Sequence, residues 1–208
     1  MAGKAQSVVF DQASRPFALY LHWPFCRAKC PYCDFNSHVS NDVDSKIFGD
    51  ALCTEMTHMA SLMPSRPPLS SLFFGGGTPS LMPPILVERL IRHAEDLFGF
   101  TGDIEITAEA NPTSVEADAM LGFQKAGVNR VSMGVQSLDD ASLKFLGREH
   151  SAADALHALD KVKKAFDRVS IDLIYALPDQ SPKAWQDMLG QALSLGLGHL
   201  SLYQLTIE

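Results

Sequence analysis

Three cysteines, Cys26, Cys30 and Cys33, stand in the run Cys-Arg-Ala-Lys-Cys-Pro-Tyr-Cys. Thiolates at this C-x3-C-x2-C spacing can hold three irons of a cubic [4Fe–4S] cluster. A closed structural cluster takes four cysteines, so the fourth iron would lack a protein ligand and stay open to a small chelating molecule. The alternative is a zinc site in which His22 or His38 supplies a fourth donor. Zinc knots usually draw on two paired ligand clusters, and the sequence shows no second one. Cys53 falls inside a helical stretch and reads as a small core residue. His58, His93, His157 and His199 have no ligand spacing among themselves and read as surface or core residues.

A second unusual segment is Gly75-Gly76-Gly77-Thr78-Pro79-Ser80. Glycines remove Cβ atoms and let backbone groups approach a neighbour closely. The run is not G-x-G-x-x-G, and no lysine follows it as in a P-loop. It reads either as a backbone-lined seat for a small charged ligand or as a tight strand-to-helix turn. Lone polar residues at strand ends complete the set: Glu109, Gln136 and Asp172, with Arg148 further along a loop. Each has a plain alternative as a solvated carboxylate or surface charge.

The elements that would position these groups can be read from periodicity. Strands are expected at Ala18–Trp23, Ser70–Gly75, Asp103–Glu109, Asn129–Val135, Arg168–Tyr175 and His199–Thr206. Helices are expected between them. The first covers 42–63, with Ile47, Leu52, Met56, Met59 and Met63 inward. The next runs from Pro83 to Phe98 and stops at Gly99. A third is opened by a capping box of Thr113 and Glu116 and ends at Gly127. A fourth starts at Ser151 and Asp154, and a fifth opens at Ser181-Pro182 with Trp185, Met188, Leu189, Ala192 and Leu193 inward.

Alternating β and α units predict an α/β fold, a parallel sheet with outer helices. Six units fall short of an eight-fold closed barrel and suit an open partial (β/α)6 barrel. In parallel sheets ligand sites lie at the C-terminal ends of strands. The cysteine run, the glycine run, Glu109-Ala110-Asn111-Pro112 and Gln136 follow successive strands, and Asp172 lies within the fifth. All of them are predicted to converge on one rim. Residues 1–17 read as an N-terminal extension and 18–208 as one core domain, truncated after its sixth strand.

The chain has 208 residues, 46% hydrophobic and 20% charged, enough for a sizeable core. A net charge of −7 argues against a nucleic-acid footprint. No apolar run reaches the ~20 residues of a membrane span, and no secretory signal is visible at the start. Crowded cysteines without such a signal favour a reduced, cytoplasmic, metal-binding role.

The segment Tyr20-Leu21-His22-Trp23-Pro24-Phe25-Cys26, the three cysteines, the Gly-Gly-Gly-Thr-Pro-Ser run, Gly134-Val135-Gln136-Ser137 and Ile171-Asp172-Leu173-Ile174-Tyr175 resemble the radical S-adenosylmethionine (SAM) superfamily. Within it they resemble the branch that holds the oxygen-independent coproporphyrinogen III oxidases and the HemW-type haem chaperones. The resemblance implies a [4Fe–4S] cluster on Cys26, Cys30 and Cys33, with SAM chelating the open iron. One electron then cleaves the sulfonium and releases a 5′-deoxyadenosyl radical. It further implies that Tyr20, Gly76 and Glu109 contact this SAM. Tyr32, Gly77, Thr78, Gln136, Arg148 and Asp172 would contact a second SAM or the substrate region, and Gln204 marks a less distinctive contact. The oxidases carry a fourth cysteine two residues after the third; here that position is Phe35. Phenylalanine cannot replace a thiol, and Trp23 also resembles the chaperones. The resemblance therefore implies haem or a porphyrin as ligand, haem-accepting proteins and an electron donor as partners, and a C-terminal region absent from this chain. Coproporphyrinogen III oxidation is the alternative activity.

Overall fold

The computed structural model describes residues 16–40 and 42–206. Most of the expected N-terminal extension lies outside the described residues. Strand β1 (Phe17–Trp23) leads into a short parallel pair, β2 (Phe25–Cys26) and β3 (His38–Val39), which brackets the cysteine loop. Helix α1 (Ser45–Leu62) and strand β4 (Leu69–Gly76) follow. After a single 3₁₀ turn at Pro79–Leu81 come α2 (Pro84–Phe98), β5 (Phe100–Ala110), α3 (Ser114–Ala126) and β6 (Arg130–Gln136). The chain continues through α4 (Asp140–Phe145), α5 (Ala152–Ala165), β7 (Arg168–Tyr175), α6 (Pro182–Ser194) and β8 (His199–Gln204).

The six long strands form one parallel sheet in the order β1-β4-β5-β6-β7-β8. Helical connections return the chain to the start of the next strand, so every strand of this sheet delivers its C-terminal end to the same rim. Strands β1 and β8 are the two edges of this open sheet.

Local chemistry explains where the helices begin and stop. Asp44 accepts from the backbone N–H groups of Lys46 (3.0 Å) and Ile47 (2.9 Å) at the start of α1. Ser151 and Asp154 close a reciprocal capping box on α5. Gly127 ends α3 at φ 112°, a left-handed conformation that glycine adopts without penalty. The core lies between sheet and helices: Leu72, Phe74, Met133, Ile171 and Leu173 from strands meet Val87, Leu90, Met120 and Phe123 from helices. Cys53 is buried in this core, as its sequence position suggested.

Three helical readings need correction. The buried face of α1 is Gly49, Cys53, Met56 and Ala60, while Ile47 and Met59 face solvent. Small residues win because α1 lies close against α2; a Cβ at Gly49 would collide with Leu86. In α6 only Met188 and Ala192 are buried, and Leu193 is exposed. The third correction concerns Glu116. Thr113 caps the N–H of Glu116 at 3.2 Å, but the Glu116 carboxylate does not return to the cap. It binds Ser80 and Asn111 instead.

Candidate functional site

The cysteine loop begins where β1 ends. Pro24 and Cys26 offer carbonyls that accept from His38 N–H (2.7 Å) and Ser40 N–H (3.1 Å), which closes the loop at its base. Cys33 N–H bonds to Cys30 O (3.0 Å) and forms a tight turn between the second and third cysteines. His22 Nε2 lies 2.8 Å from Asn36 O and ties the far limb of the loop to β1. All four cysteines are free thiols; Cys26 is buried and Cys30 and Cys33 are half-buried.

The glycine run packs directly under this loop. Gly77 N–H donates to Trp23 O (2.7 Å) and Thr78 N–H to Phe25 O (2.9 Å). A Cβ at Gly76 would stand 2.9 Å from Trp23 O, and φ there is 119°. A Cβ at Gly77 would stand 2.8 Å from Phe25 O and 2.9 Å from Cys26 Sγ. The close approach that these glycines permit is thus an approach to the protein's own cysteine loop. The N–H groups of Gly77 and Thr78 are already bonded; Gly76 N–H points to Glu109 Oε2 at 3.2 Å.

Above the two loops opens a cavity of about 410 Å³, within the ~300–1,000 Å³ usual for ligand clefts. Cys26, Cys30 and Cys33 line one wall. Gly76, Gly77 and Thr78 form its floor beside them. Glu109 and Gln136 enter from the ends of β5 and β6, Asp172 from within β7, and Tyr32 and Arg148 also line the cavity. The predicted convergence on one rim is therefore present. Two named residues stand apart from it. Tyr20 lies on the exposed side of β1, stacked on Phe73 with ring centroids 5.9 Å apart. Gln204 ends β8 and is exposed.

Further residues line the cavity. Val115 and Tyr203, not singled out from the sequence, add apolar surface with Ile174. Phe35 sits at the mouth with 56% of its surface exposed, and Asn111 and Glu116 reach in from the β5–α3 connection. Asn111 belongs to the strand-end segment expected at this rim. Glu116 was masked by its helix-capping pattern.

The cavity is electrostatically divided. Arg148 donates to Asn111 Oδ1 (2.7 Å) and Gly134 O (2.9 Å) through one nitrogen, and to Cys30 Sγ (3.3 Å) and Tyr32 Oη (3.4 Å) through the other. Opposite it are two carboxylates. Burial pushes Glu109 up to about 7, opposed by the Gly76 N–H and reinforced by the nearby Asp172 charge. Burial also raises Asp172, against hydrogen bonds from Ser201 and Ser132. A cationic or zwitterionic ligand would relieve both.

These shifts predict a pH dependence. The folded protein holds Glu109's proton up to about pH 7, whereas the unfolded chain releases it near 4.5. Between those values the folded state binds more protons, so stability falls as pH rises through that window. Asp172 contributes in the same direction. The variant Glu109→Gln should flatten the fall, measured as urea midpoints of the metal-free protein from about pH 4 to about pH 8.

The donor set can be matched to a metal. A single zinc ion needs all its donors within about 2.0–2.3 Å of one point. Among the described residues no three His, Cys, Asp or Glu side chains form such a group. His22 is bonded to the loop backbone and His38 is exposed in β3, so neither joins the cysteines on the cavity wall. A cubane differs, because each sulfur holds a different iron corner. Three thiols along one wall of an open cavity fit that group, with space beside it for a chelating ligand.

Comparison with known proteins agrees with this geometry. The profile of the Radical SAM superfamily matches residues 20–192. The chain is 43% identical over 95% of its length to Radical S-adenosyl methionine domain-containing protein 1, mitochondrial, of Mus musculus, covering 45% of that protein. It is 41% identical over 93% of its length to heme chaperone HemW of Escherichia coli K12, covering 51% of it. Among solved structures, coproporphyrinogen III oxidase (HemN) from Escherichia coli superposes with a TM-score of 0.80 at 32% identity, over 93% of this chain and 45% of that one. The fold alone is shared with anSMEcpe with bound AdoMet, TM-score 0.66 at 14% identity, over 92% of this chain and 52% of that one. The chain spans about half the length of the curated relatives it matches. Fold, matched profile and relatives together show that the chain belongs to the radical SAM superfamily, with heme chaperone HemW among its homologues.

Proposed function

We propose that this chain is the cluster-bearing core domain of a HemW-type haem chaperone. Cys26, Cys30 and Cys33 hold a [4Fe–4S] cluster, and SAM binds beside it. The observation that carries this reading is the three-cysteine wall of a cavity at whose mouth the exposed Phe35 takes the fourth cysteine position of the oxidase pattern. Cluster and SAM together supply one-electron reductive cleavage of a sulfonium C–S bond.

The protein's part is to hold and orient. Glu109, anchored by Gly76 N–H, offers its carboxylate to the ammonium or hydroxyl groups of SAM, with Gly76 as backbone contact; Tyr20, outside the cavity lining, would reach SAM only from beyond it. Thr78, Gln136, Asp172, Tyr32 and the Gly77 carbonyl side bound the remaining space, which suits a second SAM or the edge of a porphyrin. Gln136 holds φ 68° at the end of β6, a strained backbone at the cavity lining. Haem would be passed to haem-accepting proteins, and an electron donor would reduce the cluster. A reducing compartment such as the cytoplasm fits the four free thiols. No helix among the described residues is long and apolar enough to cross a membrane.

Oxidative decarboxylation of coproporphyrinogen III is the second reading, favoured by the superposition on HemN. Anaerobic titration of the reconstituted full-length protein with haem separates the two. The chaperone reading predicts saturable haem binding and no protoporphyrinogen formation from coproporphyrinogen III. Turnover without haem binding would replace it with the oxidase.

A further inference from the structure

The Glu116 carboxylate is buried between α3 and the 3₁₀ turn, with only 6% of the residue exposed. It accepts from the Ser80 hydroxyl, from Asn111 N–H at 2.7 Å and from Asn111 Nδ2 at 3.1 Å. Both Asn111 donors are thus directed at Glu116, which fixes the amide with its oxygen facing the cavity. That oxygen accepts from Arg148 Nη2 at 2.7 Å. The other guanidinium nitrogen, Nη1, then lies 3.3 Å from Cys30 Sγ. Four residues from four segments form one chain, Glu116 to Asn111 to Arg148 to Cys30, with Gly134 O as a second anchor for the guanidinium.

We propose that Glu116 and Asn111 are positioning residues that hold Arg148 against the Cys30 sulfur, and that this N–H···S contact sets the reduction potential of the cluster. The inference rests on the cluster assignment above. Reduction adds one electron, taken from an external one-electron donor, and takes the core from the 2+ to the 1+ level with no proton or ligand transferred. The added negative charge spreads over the thiolate sulfurs. A guanidinium N–H directed at one of them stabilises the reduced level more than the oxidised one, and hydrogen bonds to sulfur are a recognised control on cluster potential. The contact therefore raises the potential and eases reduction by the donor. Lysine cannot reproduce it. A guanidinium reaches Asn111, Gly134 and Cys30 at once through a rigid fork, while an ammonium is a point charge on a flexible stem.

The test is a redox titration of anaerobically reconstituted protein with dithionite, followed by visible absorption and EPR, on wild type, Arg148→Lys and Asn111→Ala. Iron and acid-labile sulfide are determined on each sample. Both variants should keep the cluster and make its reduction about tenfold less favourable, a midpoint about 59 mV lower. Glu116→Gln should shift it the same way by a smaller factor. A midpoint unchanged in both Arg148→Lys and Asn111→Ala, with full cluster content, would overturn the proposal while leaving the cluster assignment intact. Absence of iron and sulfide from the wild type would overturn both. Should Asn111→Ala fail to fold by circular dichroism, Arg148→Lys decides the result alone.

Discussion

Replacement of Cys26, Cys30 or Cys33 singly by alanine is expected to abolish the cluster. On the proposed assignment each thiolate would hold one iron corner, and the three-cysteine set would already be one ligand short of a closed site. No described histidine or carboxylate completes a set with the cysteines, so a lost sulfur has no replacement at hand. Iron and acid-labile sulfide should fall to background in each variant after anaerobic reconstitution, together with the visible absorption of the cluster. Cys53→Ala is the matched control. Its thiol is buried in the α1 core away from the cavity, so it should lose some stability and no cluster. Full cluster content in any of the three loop variants would remove that cysteine from the ligand set.

The second large effect is expected from Gly77→Ala. The added methyl would stand 2.8 Å from Phe25 O and 2.9 Å from both Cys26 Sγ and the Pro24 carbonyl carbon. Two of these neighbours are backbone atoms, held by the β2–β3 pairing and by the Gly77 and Thr78 N–H bonds. They cannot step aside as a flexible side chain would. Overpacking of this kind costs about 1–3 kcal/mol, which for a chain of this size lowers the melting temperature by about 2–4 °C per kcal/mol. The strain falls on the Pro24–Phe25 backbone and on the Cys26 sulfur, so cluster retention should drop along with stability. Gly190→Ala is the contrasting variant. It lies on an exposed turn of α6 with nothing near its Cβ position. There alanine should stabilise, by up to about 1 kcal/mol. Equal melting temperatures for Gly77→Ala and wild type would show that the loop yields, and that the glycines serve some purpose other than close packing.

Much of the fold was legible because two periods dominate the chain. Alternating strands and amphipathic helices predict a six-stranded parallel sheet, and the sheet is there in chain order. The convergence of the cysteine run, the glycine run, Glu109, Gln136 and Asp172 follows from that topology alone, since parallel strands share one C-terminal rim. What sequence could not show was the division of labour within the rim. The glycine run has two readings, ligand seat or tight turn, and the structure bonds the Gly77 and Thr78 N–H groups to Trp23 and Phe25 at the base of the cysteine loop. The Thr113–Glu116 pair carries a capping-box signature, yet burial next to Ser80 and Asn111 offers Glu116 better partners than the cap. On α1 the expected inward face is right at Met56, with Leu52 and Met63 against the core, and wrong at Ile47 and Met59, because hydropathy cannot show that close approach to α2 requires glycine at position 49. Helix α4, six residues long and capped by Asp139, is too short to leave a periodic signal.

The proposed function depends on one open iron corner. The measurement that tests it most directly is the EPR spectrum of the anaerobically reconstituted, dithionite-reduced protein, recorded with and without SAM. A reduced [4Fe–4S] signal that changes shape when SAM is added is the predicted result, because the ligand would bind the cluster itself. Protein without acid-labile sulfide, or a cluster signal indifferent to SAM, would contradict it.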